Sequence, residues 1–345
     1  MHEKHKIMIQ LSIIIPVYNV EKYIQFCIES IFRQGLDETS YEIIIVNDGT
    51  RDDSMKVIEE LYSQHHNIIV IEQENQGSWV ARNTGMTKVS GEYILFADPD
   101  DLLIDDSLQP LLAKALETKA DIVVADYLEM NDKEINEIYR NPPCQKDFTI
   151  QEKTGEQLFL EDLNPYHCYI WRSLFRKAFL QDNHLTFNTE FFFQDVPFLH
   201  ECYIKANRCL RISWLLNIYR RGHESATFSF TCKKAKNFCT AIAKTWELVR
   251  LDSLSPQEQD KLREDVYTSF SAIIWILTHI IEKASDRTEI IDFLRQQAPD
   301  LRFSHGKKQK LESFMYQHMP HLYIHLNYIY DNFFNNNIHS AKYHR

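Results

Sequence analysis

Glycine is scarce in this chain, at 8 of 345 residues. So small a supply argues against glycine-rich phosphate loops, the dinucleotide motif G-x-G-x-x-G, and glycine-periodic repeat folds. Positive charge is also in deficit. Lysine and arginine total 38 against 49 aspartates and glutamates, a formal net charge of -11. That balance excludes wholesale nucleic-acid binding. It also repels phosphorylated ligands unless a cation or a local basic patch intervenes. The seven cysteines contain no C-x-x-C pair. An odd number at wide spacing fits a reducing compartment better than a disulfide framework. Long apolar runs are missing too. Ala272 to Ile281 contains His279 and is too short to span a bilayer. The polar start, Met1 to Lys6, leads into a short strand rather than a signal segment. These features predict a soluble, cytoplasmic protein.

Hydrophobic residues make up 44% of the chain, enough for a sizeable core, and the length suits one large or two modest domains. Residues 11–17, 41–46, 67–72, 93–97 and 121–125 read as short apolar strands. Between them, 20–33, 54–61, 76–90 and 108–117 carry helical patterns. This alternation predicts βα units and a mainly parallel sheet covered by helices. Segment 127–165, with Asn141-Pro142-Pro143, reads as hairpin or loop. After about residue 228 the pattern is helical, at 233–250, 256–283 and 286–297, with Ser255-Pro256 as an N-cap followed by proline at the first helical position.

The most informative run is Asp98-Pro99-Asp100-Asp101, at the end of the apolar strand Tyr93 to Phe96. Carboxylates that close disfavour joint ionisation. A hard divalent ion relieves that cost and bridges to phosphate oxygens. The other reading is helix capping, although Asp105, Asp106 and Ser107 are available for that. Three more strand ends carry polar groups: Tyr18 and Asn19 after Pro16, Asn47 to Thr50, and Gln73 to Gly77 with Arg82 in the helix beyond. Parallel strands would bring all four ends to one rim, where open α/β sheets bind ligands.

With Ser12 to Asn19, Glu42 to Thr50, Gln76-Gly77 with Ala81 to Gly85, and Gly91 to Asp101 in register, the chain resembles a family-2 glycosyltransferase of the GT-A fold. The resemblance implies an inverting, metal-dependent transfer of a sugar from a UDP-sugar donor to an acceptor hydroxyl, in bacterial surface polysaccharide synthesis. It places the base of the nucleotide at Pro16, Tyr18 and Asp48 and the donor phosphates near Arg82, with Asn19 and Gly77 among the nucleotide-sugar contacts. It sets Asp98 at the ribose and Asp100 on a Mn2+ or Mg2+ ion. Asp195, in Phe191-Phe192-Phe193-Gln194-Asp195, matches the catalytic base, with Gln194 where relatives usually have Glu. A non-catalytic nucleotide-sugar-binding subunit is the alternative that Gln194 leaves open. Arg220, Arg221 and His223 resemble a mobile basic segment that neutralises the departing diphosphate. The implied layout is a GT-A domain over 1–230, with a nucleotide-sugar half at 1–126 and an acceptor and base half at 127–230, followed by a helical region at 231–345. A saccharide or lipid-linked saccharide acceptor, contact with the inner face of the membrane through Lys307, Lys308, Lys310 and the aromatic tail, and homo-oligomer formation through the C-terminal region complete the expectations.

Overall fold

The computed structural model describes residues 8–63, 65–140, 145, 148–165, 167–188, 193–222 and 231–334. The chain divides into two compact units. Unit one is Met1–Asp162, Tyr169–Thr189 and Glu201–His223; unit two is Leu163–Cys168, Glu190–His200 and Glu224–Arg345.

Unit one opens with β1 (Leu11–Val17), α1 (Ile24–Phe32), β2 (Tyr41–Asn47), α2 (Ser54–Tyr62), β3 (Ile68–Glu72), α3 (Ser78–Met86) and β4 (Tyr93–Phe96). Every residue of β1 and β2 is buried. Their runs of isoleucine and valine have no polar face because helices cover both sides of such a sheet. β1 pairs in parallel with β2 and β4, and β2 in parallel with β3. The four chain reversals after these strands therefore sit along one edge.

Next come β5 (Leu102–Leu103), α4 (Leu108–Thr118), β6 (Ile122–Asn131), α5 (Asp132–Arg140), β7 (Ile150–Lys153) and α6 (Gly155–Glu161). β8 (Ser173–Arg176), α7 (Lys177–Asp182), α8 (Asp195–Lys205) and β9 (Cys209–Arg221) follow. The sheet order is β3-β2-β1-β4-β8-β6-β9-β5, with β7 also on β9. It is a mixed sheet. β8 runs antiparallel between β4 and β6, while β6 and β9 are parallel. The parallel pairing that the sequence predicts holds for β1 to β4, while this four-residue strand is antiparallel to both neighbours and β5 and β7 meet β9 antiparallel.

The reading of 127–165 as hairpin or loop is corrected. β6 continues to Asn131, and α5, β7 and α6 follow. The side chain of Thr154 accepts from the Gln157 amide, and the Gln157 side chain accepts from the Thr154 amide, a capping box that starts α6. That Thr-x-x-Gln signal lay in plain view in the sequence.

Unit two contains the first residues of α8, then α9 (Cys232–Leu248), α10 (Pro256–His279), α11 (Ala284–Gln297), α12 (Gly306–His318) and α13 (Pro320–Phe334). Ser255 caps α10 in a second capping box, with Pro256 at the first helical position, as the sequence predicts. Phe270, Phe303 and Tyr316 pack ring to ring in its core. Leu311 and Phe314 of α12 and Leu322, Leu326 and Tyr330 of α13 stay exposed. Among the described residues no helix is long and apolar enough to cross a membrane.

Candidate functional site

Asp48 follows β2 and is 2% exposed. Its Oδ1 accepts from Gln73 Nε2 at 2.7 Å and the Gln76 amide at 2.8 Å, and its Oδ2 accepts from the Gly77 amide at 2.8 Å. One carboxylate thus shapes the whole turn between β3 and α3. Gly77 precedes α3 at φ +99°, and a Cβ there would come within 2.5 Å of the Trp79 ring. Only glycine enters that backbone region without strain. Asn19, at φ +54°, joins two neighbouring reversals. Its amide donates to Thr50 Oγ1 at 2.7 Å, and its Oδ1 accepts from the Arg51 amide at 3.0 Å. Pro16 is buried opposite Val46, whereas Tyr18 is 40% exposed beside Asn19.

Helix α3 connects this first group to the acidic turn. Five residues after Gly77, Arg82 is 6% exposed, and its Nη2 donates to Asp98 Oδ1 at 2.6 Å. Burial pushes the Asp98 carboxyl up; Arg82 opposes that push and Asp100 adds to it. Burial, then Asp100 and Asp98, push Asp101 well above the usual carboxylate range. Asp101 Oδ1 accepts from the Arg220 amide at 2.9 Å, and its buried Oδ2 has no hydrogen-bond partner among the described residues. Cys27 of α1 lies below the turn, its thiol 3.5 Å from the Asp98 carbonyl oxygen and pushed up by burial and then by the same three carboxylates. The capping reading fails here. α4 starts at Leu108, and the Leu108 amide donates to Gln34 Oε1 rather than to any of the three aspartates.

Arg220 lies in β9, 6% exposed, rather than in a loop. Its Nε donates to the Asp100 carbonyl at 2.8 Å, Nη1 pairs with Asp132, and the guanidinium sits 4.9 Å from the centre of the Tyr23 ring. It clamps the acidic turn from below. Arg221 is exposed and pairs with Glu129. His223, Phe191 and Phe192 lie outside the described residues. Asp195 is the first residue of α8, with Pro197 in the first turn, where a carboxylate gains from the helix dipole. It belongs to unit two. Within unit one, Asp48 and Gly77 meet at the start of α3, Asn19 joins Thr50 and Arg51 after β1 and β2 with Pro16 and Tyr18 beside it in sequence, and Arg82, Asp98, Asp100 and Arg220 meet at the acidic turn.

Sequence reasoning missed Cys27, Tyr23, Gln73 as an Asp48 partner, and an aromatic group. Tyr169 stacks on Trp171 at 4.7 Å, Trp171 stacks on Tyr219 at 5.8 Å, and Tyr127 meets Trp171 edge-on at 5.0 Å. Tyr127 and Tyr219 lie on paired strands, so pairing rather than any local motif assembles the group.

Residues 12–182 match the family described as Glycosyl transferase family 2. The chain carries a family-2 glycosyltransferase domain. The glycosyltransferase EpsJ of Bacillus subtilis is 34% identical over 218 residues, which is 63% of this chain and 62% of EpsJ. The chain thus spans less than two thirds of that relative. The crystal structure of Staphylococcus aureus TarS 1–349 in complex with UDP-GlcNAc superposes with a TM-score of 0.72 at 21% identity, covering 94% of this chain and 92% of that one. The mannosyltransferase PcManGT of Pyrobaculum calidifontis, in complex with GDP-Man and Mn2+, gives 0.53 at 12% identity, covering 94% and 87%. The domain has the GT-A fold, with a helical C-terminal region.

Family-2 domains of this fold commonly use a divalent ion. Among the described residues no group of three or more His, Cys, Asp or Glu side chains is placed to hold an ion by itself. The acidic turn suits a shared ion instead. Asp98 is committed to Arg82 and Asp101 to the Arg220 amide, while burial first, and then the neighbouring carboxylates, raise both carboxyls. Asp100 is half-buried between them. One carboxylate of that kind fits an ion whose remaining oxygen ligands come from a diphosphate.

Proposed function

We propose that the chain transfers a sugar from a UDP-sugar to an acceptor hydroxyl with inversion, in the synthesis of a bacterial surface polysaccharide. The observation that carries this reading is α3, with Asp48 bound at its start through Gly77 and Asp98 bound through Arg82 one turn on. A nucleotide base held beside Asp48, Tyr18 and Asn19 would point its phosphates along this helix toward Asp100. The TarS complex with UDP-GlcNAc supports the donor class, and TarS, a poly(ribitol-phosphate) beta-N-acetylglucosaminyltransferase, supports the pathway class.

Asp98 would meet the ribose, and Asp100 would hold Mn2+ or Mg2+. That ion supplies charge neutralisation for the diphosphate. Arg82 orients Asp98, and Arg220 fixes the backbone of the turn. Asp195 takes the proton of the acceptor hydroxyl as its oxygen bonds to the anomeric carbon. The bond from that carbon to the diphosphate breaks, and UDP leaves with the electron pair. Arg221 and His223 are proposed to meet the departing phosphates. An α-linked donor then yields a β-linked product. The acceptor is a saccharide or a lipid-linked saccharide. The lysines of α12 and the exposed apolar residues of α12 and α13 support contact with a membrane surface or a second copy.

The test is UDP release from UDP-glucose and UDP-GlcNAc with Mn2+, measured for the wild type and Asp195→Asn, alongside calorimetric UDP binding. Turnover lost with UDP binding intact supports the base role. Equal turnover in both removes Asp195 from the reaction. A wild type that binds a UDP-sugar tightly and turns over none of a panel of saccharide acceptors supports the binding-subunit reading.

A further inference from the structure

We propose that Tyr127, Tyr169, Trp171, Tyr219 and Asn217 form a platform that binds a pyranose ring beside the acidic turn. This rests on the transferase reading and names the part of unit one that handles sugar. Trp171 is the floor, 2% exposed, while the three tyrosines around it are only half-buried. Tyr169 and Trp171 lie nearly parallel, at 14°, and Trp171 and Tyr219 at 20°, so the rings form one stacked apolar group whose half-buried tyrosines are its accessible members. Aromatic faces carry negative charge and attract the weakly positive C–H groups of a sugar face.

The amide of Asn217 provides the polar contact. Asn217 is 2% exposed, and its Oδ1 has no hydrogen-bond partner among the described residues. In β9 it lies opposite Tyr127 of β6 and two residues before Tyr219, so strand alternation places it on the aromatic face. A buried amide oxygen left unmade costs stability. A core cluster with no ligand would close the tyrosines from water and satisfy that amide. A sugar hydroxyl can donate to it. Tyr219 also ties the platform to the acidic turn: the next residue, Arg220, donates from its amide to Asp101 Oδ1 at 2.9 Å and from Nε to the Asp100 carbonyl at 2.8 Å.

A pyranose here could belong to the acceptor or to the donor. Saturation-transfer NMR with methyl β-D-glucopyranoside and methyl N-acetyl-β-D-glucosaminide, with UDP and Mn2+ present, reads the acceptor arm. Calorimetric affinity for UDP-glucose relative to UDP reads the donor arm. Tyr169→Leu and Tyr219→Leu should each weaken one of these by about threefold to tenfold, the size of one aromatic stacking contact. Tyr169→Phe keeps the ring and should bind as the wild type does. Circular dichroism and melting confirm that each variant is folded. Loss of glycoside signal with UDP-glucose unchanged assigns the platform to the acceptor, and the reverse assigns it to the donor. Unchanged values in both arms, or a wild type that binds neither glycoside and does not distinguish UDP-glucose from UDP, overturn the proposal. UDP binding measured in the same samples tests the transferase reading separately.

Discussion

Asp48 shows how much one carboxylate can organise. Removing its side chain leaves the amides of Gln76 and Gly77 and the Gln73 side chain without their acceptor. Buried groups stripped of a charged partner cost about 1–3 kcal/mol each, and relaxation of the turn recovers part of that. Asp48→Ala is therefore expected to lower stability by about 3 kcal/mol and to abolish UDP binding. Urea unfolding with an unchanged slope and calorimetry check both. Gly77→Ala acts on the same turn from the backbone side. Its φ of +99° and the 2.5 Å approach to Trp79 leave no room for Cβ, so α3 must shift. We expect a loss of about 1–3 kcal/mol in urea unfolding, together with weaker UDP binding. Residues such as these were legible because short polar runs after apolar strands mark ligand-facing turns. What Asp48 bonds to was not legible, since its partners are 25 to 29 residues away.

At the level of elements, boundaries followed local signals wherever caps or β-branched runs were strong. β1, β2 and β4 fall where the sequence places them, and Ser255-Pro256 starts α10. Ser255→Ala should cost about 1 kcal/mol, because the Glu258 amide loses its acceptor. A thermal melt against the wild type measures it. Between 127 and 165 the signals conflicted. α5 is mostly polar, and β7 is a four-residue strand with one apolar residue. Polar composition there reads as loop because tertiary pairing with β9, not propensity, forms the strand. β8 lies within Trp171 to Leu180, where strand and helix patterns resume in the sequence, but its place in the sheet has no local signal. Its four residues gain a sheet position only by fitting between β4 and β6.

At the scale of the molecule, five of the six described cysteines are free thiols buried in the interior. Burial pushes up Cys27, Cys168, Cys202, Cys209 and Cys239, with Cys209 reaching about 12. An unfolded thiol ionises near pH 8.5. Because the folded values are higher, the unfolded chain loses protons first. This stability is fully present below about pH 8.5 and is lost as pH rises toward the folded values, by roughly 1.4 kcal/mol per unit for each thiol. Urea titrations between about pH 8 and 11 should show a steep decline, shallower by one thiol's share in Cys209→Ala. Ellman's reagent under native conditions should reach Cys232 before the other five described cysteines, since it alone is not buried.

β9 carries opposite duties on its two sides. Ile218 and Arg220 face the small core and the clamp on the acidic turn, while Asn217 and Tyr219 face the aromatic group. A one-residue slip of Asn217 to Arg220 against β6 would turn each of these side chains through the sheet, seating a guanidinium among the rings and a phenol under the carboxylates. Natural variation from Asn217 to Arg220 should therefore run through substitutions at constant length, and a register change there should cost the aromatic group and the clamp together.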